Sequence, residues 1–311
     1  MLNSDPEGPD IIEISPENPD AKHDVKHDAR KARIARISRN RRPLIATGGV
    51  ALFAAVAVVV ALAVFPRAAS PGVSPALAKL ITEVTTVPVN ATGGGYGDGY
   101  GNAPLTTMAR PVTGPPLTVH GKPEVFYVNA GYCPYCAAQN WALIVALSRF
   151  GTFSGLTTVR THRYHDLAPI DGWMFYGSSF TSRYLVFVPV ETYSGILVSA
   201  KANPDDGKSF RPLQKLTPAQ RAVFSKYDAT RAVPFLDFGN KTAMTGSNLD
   251  PSALAGKTWS QIAGTLRNPR DAAAEAILNA AFLLTAQICQ LTDNRPAAAC
   301  PRAITAVLSG N

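Results

Sequence analysis

Cysteine is scarce in this sequence: four residues in 311, all of them beyond residue 130. A second Cys-x-x-Cys is missing, as is any internal repeat. Four-coordinate zinc held by Cys133 and Cys136 would need a matching second pair. Cys289 and Cys300 stand eleven positions apart and do not supply one. Acids are absent from residues 29–43, and charge of either sign is absent from Leu44 to Phe65. The net charge is +8, yet residues 1–43 hold nine Lys/Arg against eight Asp/Glu, so the excess lies further on, 21 against 14. It is scattered there, without interleaved aromatics or Gly-Arg repeats, which argues against nucleic acid as a partner. A basic soluble surface, or attraction to anionic lipid or cell-wall polymer, accounts for it.

What is present begins with the uncharged run. Leu44–Phe65 is 22 residues rich in Ala, Val and Leu, about 33 Å as a helix, enough for a hydrocarbon core of about 30 Å. Arg30, Lys31, Arg33, Arg36, Arg39, Arg41 and Arg42 precede it, and only Arg67 and Lys79 follow before Glu83. The positive-inside rule therefore predicts a single-pass anchor in the cell membrane, residues 1–43 cytoplasmic and everything after 65 extracytoplasmic. A cleaved signal peptide is the competing reading, but its apolar core spans only about 7–15 residues. Residues 1–43 are expected to be a disordered tail, in which His23 and His27 are read as solvated rather than as a metal pair. Residues 66–116 alternate apolar fragments with Pro and Gly and are expected to be an extracytoplasmic linker. The run Gly93–Gly101 lacks the Gly-Lys-Ser/Thr ending of a phosphate loop. It is read as a flexible spacer.

From Gly121 the pattern tightens. Glu124–Asn129 predicts a buried strand, and Ala137–Phe150 a helix ended by Gly151. Leu156–Thr161 and Arg183–Val190 predict two further strands. Thr217-Pro218 opens a helix to about Tyr227. Val233–Phe238 and Lys241–Met244 predict a hairpin turning at Gly239-Asn240. Asn268-Pro269 is expected to begin a long helix to about Leu291, and a short helical piece follows Pro301.

The chemistry is expected at Cys133-Pro134-Tyr135-Cys136. A strand, a short loop and Cys-x-x-Cys opening a helix put two sulfurs on one helical face. The first cysteine then lies at the positive end of the helix dipole, which stabilises its thiolate. Pro134 loses no hydrogen bond in a first turn, and the second cysteine can release a mixed disulfide by intramolecular attack. A zinc half-site, with His162 and His165 as the other candidate ligands, and a purely structural disulfide at 133–136 compete with this redox reading. So tight a loop constrains little unfolded-chain entropy, and no metal and no cofactor is expected. Tyr132, Tyr135 and Trp141 could shape a substrate surface, Trp141 alternatively packing in the core. Cys289, at a helix end, and Cys300, in the Pro/Ala-rich link, are expected to form a structural disulfide, with a relay pair feeding Cys133 and Cys136 as the alternative. An even number of cysteines on one side of the apolar run fits an oxidising compartment.

Val125–Cys136 and the helix after it resemble the first βα unit of the thioredoxin superfamily, and the Pro-Tyr dipeptide is that of glutaredoxins. Residues 231–240, Arg-Ala-Val-Pro-Phe-Leu-Asp-Phe-Gly-Asn, resemble that superfamily's cis-proline strand. This implies that Pro234 is the cis-proline and that the Val233 backbone faces Cys133 and pairs with substrate. Gly121-Lys122-Pro123, Tyr132–Ala138 and Ala146–Gly151 are similar to an uncharacterised family of membrane-anchored thioredoxin-like proteins of archaea and bacteria, over residues 117–290. The resemblance implies an α/β thioredoxin-like domain, placed at 117–311; the stretch of about 70 residues between the second strand and Pro234 is longer than a bare thioredoxin needs and is expected to hold an inserted lobe. One departure stands out: members of the superfamily often carry a buried acid six positions before the first cysteine, where this chain has Tyr127. Glu124, on the same strand, points to the other face.

The expected function is that of a membrane-anchored extracytoplasmic thiol–disulfide oxidoreductase. Its expected partners are extracytoplasmic protein thiols or disulfides, the lipid bilayer, and a membrane redox partner that recycles the cysteine pair. The alternative is a non-catalytic thioredoxin-like module that binds an extracytoplasmic partner.

Overall fold

The computed structural model describes residues 73–92 and 109–308. The expected tail, membrane helix and glycine-rich spacer lie outside the described residues. In chain order the elements are helix α1 (Pro75–Thr85), strands β1 (Ala109–Pro111), β2 (Thr118–Val119) and β3 (Lys122–Asn129), and helix α2 (Pro134–Ser148). Strands β4 (Gly151–Ser154), β5 (Thr157–Arg160), β6 (Asp171–Met174), β7 (Ser179–Ser182), β8 (Val186–Glu191), β9 (Tyr193–Leu197) and β10 (Phe210–Pro212) follow. Helix α3 (Pro218–Tyr227), strands β11 (Phe235–Phe238) and β12 (Thr242–Thr245), and helices α4 (Trp259–Thr265), α5 (Ala272–Leu291) and α6 (Arg302–Thr305) complete the domain.

The result is a mixed α/β domain built on a six-stranded mixed sheet. β3 is its middle strand, antiparallel to β11 and β2 and parallel to β8, while β12 and β1 extend the β11 side. A strand covered on both faces must be apolar at successive positions, and Val125–Val128 is. Val125 and Tyr127 join the core under α2 and α5, whereas Phe126 and Val128 pack with Phe224 and Tyr227 of α3. Helix α2 is buried around almost its whole circumference, which explains why its sequence carries no polar stripe. Trp141 is a core residue: its ring packs edge-on against Trp173 and its indole N–H donates to the Asp171 carbonyl at 2.8 Å.

Three corrections to the expected layout emerge. Residues 75–85, within the expected linker, form α1, whose Leu77, Leu80, Ile81 and Val84 pack on the main core, and residues 109–111 pair with β12. The strand near Leu156–Thr161 does not enter the main sheet. It pairs with β6, and together with β4–β7 and β9–β10 it forms three two-stranded ribbons outside that sheet. The long helix starts at Ala272, because Asp271 accepts hydrogen bonds from the backbone N–H groups of Ala273 and Ala274. An aspartate so placed stops the helix extending back to Pro269.

Helix α5 is long and apolar enough to cross a membrane by length and composition, but 83% of its apolar window is buried inside the domain. It is a core helix. Cys289 near its end is bonded to Cys300, with an S–S distance of 2.07 Å and Cα atoms 5.7 Å apart. The β11–β12 hairpin turns at Gly239 and Asn240, both at positive φ (67° and 58°), the backbone that an Asn/Gly pair tolerates in a two-residue turn.

Candidate redox site

Cys133 is the N-cap of α2. Its sulfur accepts a hydrogen bond from the Cys136 backbone N–H at 3.3 Å, with Pro134 as the first helical residue. Both cysteines are free thiols, Cys136 wholly buried and Cys133 only 5% exposed. Burial raises a thiol's pKa, and at Cys133 it is opposed by hydrogen bonds from the Cys136 thiol and from the Cys136 and Tyr135 backbone N–H groups. The bonds prevail and hold Cys133 below the ordinary thiol range. Cys136 is pushed far above it, chiefly by burial, then by Cys133, whose sulfur its thiol serves as donor, with Glu191 adding to the effect. The two sulfurs of one motif are thus driven apart in proton affinity.

Around the pair stand Ala130, Tyr132, Tyr135, Tyr193 and Val233. Tyr132 lies stacked on Phe210 with ring centroids 4.6 Å apart and meets Tyr193 edge-on. Its hydroxyl is pushed up to about 12 by burial and then by the nearby thiols. It is therefore a neutral wall of the site at any physiological pH. The Val233–Pro234 bond is cis, and the Val233 carbonyl accepts from the Cys133 thiol at 3.6 Å. Every residue expected at the motif and the proline strand is therefore brought together at one end of β3, at the start of α2. Trp141 is not among them. His162 lies against Phe210 and His165 against Tyr164. Among the described residues no group of three His, Cys, Asp or Glu side chains could hold a metal ion.

Sequence reasoning missed Glu191. It ends β8, in register with Asn129 and on the same face as Tyr127. It is fully buried, and its Oε2 accepts from the backbone N–H groups of Phe175 and Tyr176 at 2.9 and 2.8 Å. Its Oε1 has no hydrogen-bond partner among the described residues, and neither polar atom of the Asn129 side chain has one. Burial pushes the carboxyl up to about 7, only partly opposed by those two N–H groups. Gly131 lets β9 pass close by: a Cβ there would come within 2.9 Å of the Gly195 backbone nitrogen, and within 3.3 Å of the Glu191 Oε1. The position six before Cys133 holds Tyr127, whose hydroxyl donates to Asn140 at 2.7 Å. A buried acid is present after all, on the neighbouring strand. Its signal in the sequence was the alternation Phe187, Pro189, Glu191, which extends the core face of β8 to one charged residue. Glu124 lies on the other face beside Asp237, a buried acid raised to about 6 by desolvation.

Fold and site together define a mixed α/β domain that presents a Cys-Pro-Tyr-Cys pair at a helix N-terminus against a cis-proline loop. The chain belongs to the family described as a domain of unknown function, DUF929, whose profile matches residues 111–290, more than half of its length. It matches no curated protein and no solved structure.

Proposed function

We propose that this protein is a thiol–disulfide oxidoreductase of thioredoxin-like design, anchored by residues 44–65 and working on protein cysteines outside the cytoplasm. The observation that carries the reading is the placement of the pair: Cys133 caps α2, accepting from the Cys136 N–H beside the cis Val233–Pro234 bond, with Cys136 buried one turn later, and their environments shift the two thiols in opposite directions. A stabilised thiolate beside a protonated resolving thiol is what disulfide exchange requires. The thioredoxin-like reading is supported by β3 leading into the Cys-x-x-Cys helix, by parallel β8, and by the β11–β12 hairpin that follows Val233–Pro234. The buried Cys289–Cys300 disulfide supports an oxidising compartment. Anchoring rests on the charge asymmetry around residues 44–65.

In the reducing direction, the Cys133 thiolate attacks one sulfur of a substrate disulfide and the other substrate sulfur leaves as a thiolate, giving a mixed disulfide. Cys136 then loses its proton and attacks the Cys133 sulfur. The second substrate thiol is released, and the protein holds the two-electron oxidised Cys133–Cys136 disulfide. We assign to Glu191 the acceptance of the Cys136 proton, because its carboxyl titrates near neutrality and interacts with that thiol. The oxidising direction runs the same steps backwards, and a membrane redox partner resets the pair.

Cys136→Ser should leave attack intact and block release. Covalent mixed disulfides should then accumulate on non-reducing gels of membranes carrying that variant, and few should form with Cys133→Ser. Equal adducts from both variants would reverse the assignment of roles. No adducts from either, with no insulin reduction by the unaltered chain, would leave a binding module instead.

A further inference from the structure

Four large apolar side chains are exposed among the described residues; of these, Ile196 lies in β9, Val198 just beyond it, and Tyr176 in the turn between β6 and β7. Tyr176 and Ile196 line one cavity of about 380 Å³ with Val159, Met174 and Leu213. Val198 lies two residues beyond Ile196, just past the end of β9. Arg160 and Arg211 also line it, and no carboxylate residue does. Arg160 is paired with Asp171, whereas Arg211 is exposed and has no ion-pair partner among the described residues.

This cavity is joined to the redox site along two routes. Strand β9 is the first: the Tyr193 carbonyl accepts from the Gly131 N–H at 2.7 Å, and the Tyr193 ring packs beside the two cysteines. Ile196 is three residues further along the same strand. The second route is Glu191, whose Oε2 accepts from the N–H of Tyr176, a wall of the cavity. Resting on the redox reading above, we propose that the cavity is the docking pocket for the substrate polypeptide. Its occupant is an extended segment with a large apolar side chain three to five residues from the reacting cysteine and an acidic residue beside it. The apolar walls take the first and Arg211 pairs with the second. Such segments are exposed in chains that have not finished folding, so the pocket selects unfolded exported polypeptides over small thiols.

The test uses the reduced full chain in detergent and two disulfides that carry the same aryl thiol. One is joined to the cysteine of a peptide with Leu four residues away and Asp next to the Leu, the other to mercaptoethanol. Attack by Cys133 at the peptide or mercaptoethanol sulfur releases the aryl thiolate, whose absorbance gives the rate. Cys136 then displaces the remaining thiol. The unaltered chain should favour the peptide, since even one methylene in a fitted pocket is worth about 10- to 200-fold. Ile196→Asp, Arg211→Glu and a Leu→Ser peptide should each lower the peptide-to-mercaptoethanol rate ratio, the first by about tenfold or more. A ratio that stays the same in all three would overturn the proposal. Should the mercaptoethanol disulfide prove inert to the unaltered chain, the redox reading fails by itself. Fluorescence anisotropy with a Cys→Ser peptide then decides docking separately. Binding weakened by Ile196→Asp sustains the pocket, and binding equal in both chains removes it.

Discussion

Replacing Glu191 by Gln removes the buried carboxyl that interacts with Cys136 while keeping an oxygen to accept from Phe175 and Tyr176. The carboxyl titrates at about 7 in the folded chain against an ordinary 4.5. A carboxyl raised by folding contributes stability that is fully present below about 4.5 and is lost as pH climbs through about 7. The difference corresponds to about 3 kcal/mol, and the near-complete burial of the group means that solvent screening reduces it little. Urea unfolding of the full chain in detergent, followed by tryptophan fluorescence from pH 4.5 to 8.5, measures the effect. The unaltered protein should lose stability over that interval. In the Glu191→Gln chain that loss should shrink by about 3 kcal/mol, so that the variant gains on the parent as pH rises. Any constant offset reports the amide's own packing. Parallel stability curves for the two chains would mean that Glu191 titrates in the folded chain as an ordinary carboxyl, and its assignment as proton acceptor would fall with that result.

Other expectations concern the frame of the site. Removing the bridge by Cys289→Ala with Cys300→Ala opens a loop of about a dozen residues and should cost about 3 kcal/mol of unfolding free energy. An unchanged urea midpoint would refute this. Peptide mapping after mild reduction should find Cys289 and Cys300 still joined when Cys133 and Cys136 are fully labelled; simultaneous labelling of all four would favour the relay role. Protease added to intact cells or spheroplasts should digest the chain beyond residue 66 and spare a tag at Met1. Release of soluble protein cut near Ala69 would contradict the anchor.

The parts legible in the sequence are those written in local signals. Val125–Val128 announces a buried strand, Cys133-Pro134 a helix start, Thr217-Pro218 another, and Gly239-Asn240 a hairpin turn. What escaped depends on pairing across distance. Nothing in Thr157–Arg160 says that its partner is Asp171–Met174 rather than the central sheet. The α1 helix was within reach, since Leu77, Leu80, Ile81 and Val84 follow helical spacing, but the Pro and Gly around them read as linker. Glu191 illustrates the limit most plainly. Its role follows from the parallel pairing of β8 with β3 and from Gly131 leaving room beside it, neither of which spacing in one chain reveals.

The central claim is that Cys133 is the reactive thiolate and Cys136 the buried resolving thiol. Alkylation of the reduced full chain with iodoacetamide across pH 5–10, with each cysteine quantified by mass spectrometry, tests it directly. Cys133 should reach half its maximal rate below the ordinary thiol value of about 8.5, while Cys136 stays unmodified well above that pH. Two cysteines titrating together at or above 8.5, or Cys136 reacting first, would contradict the account.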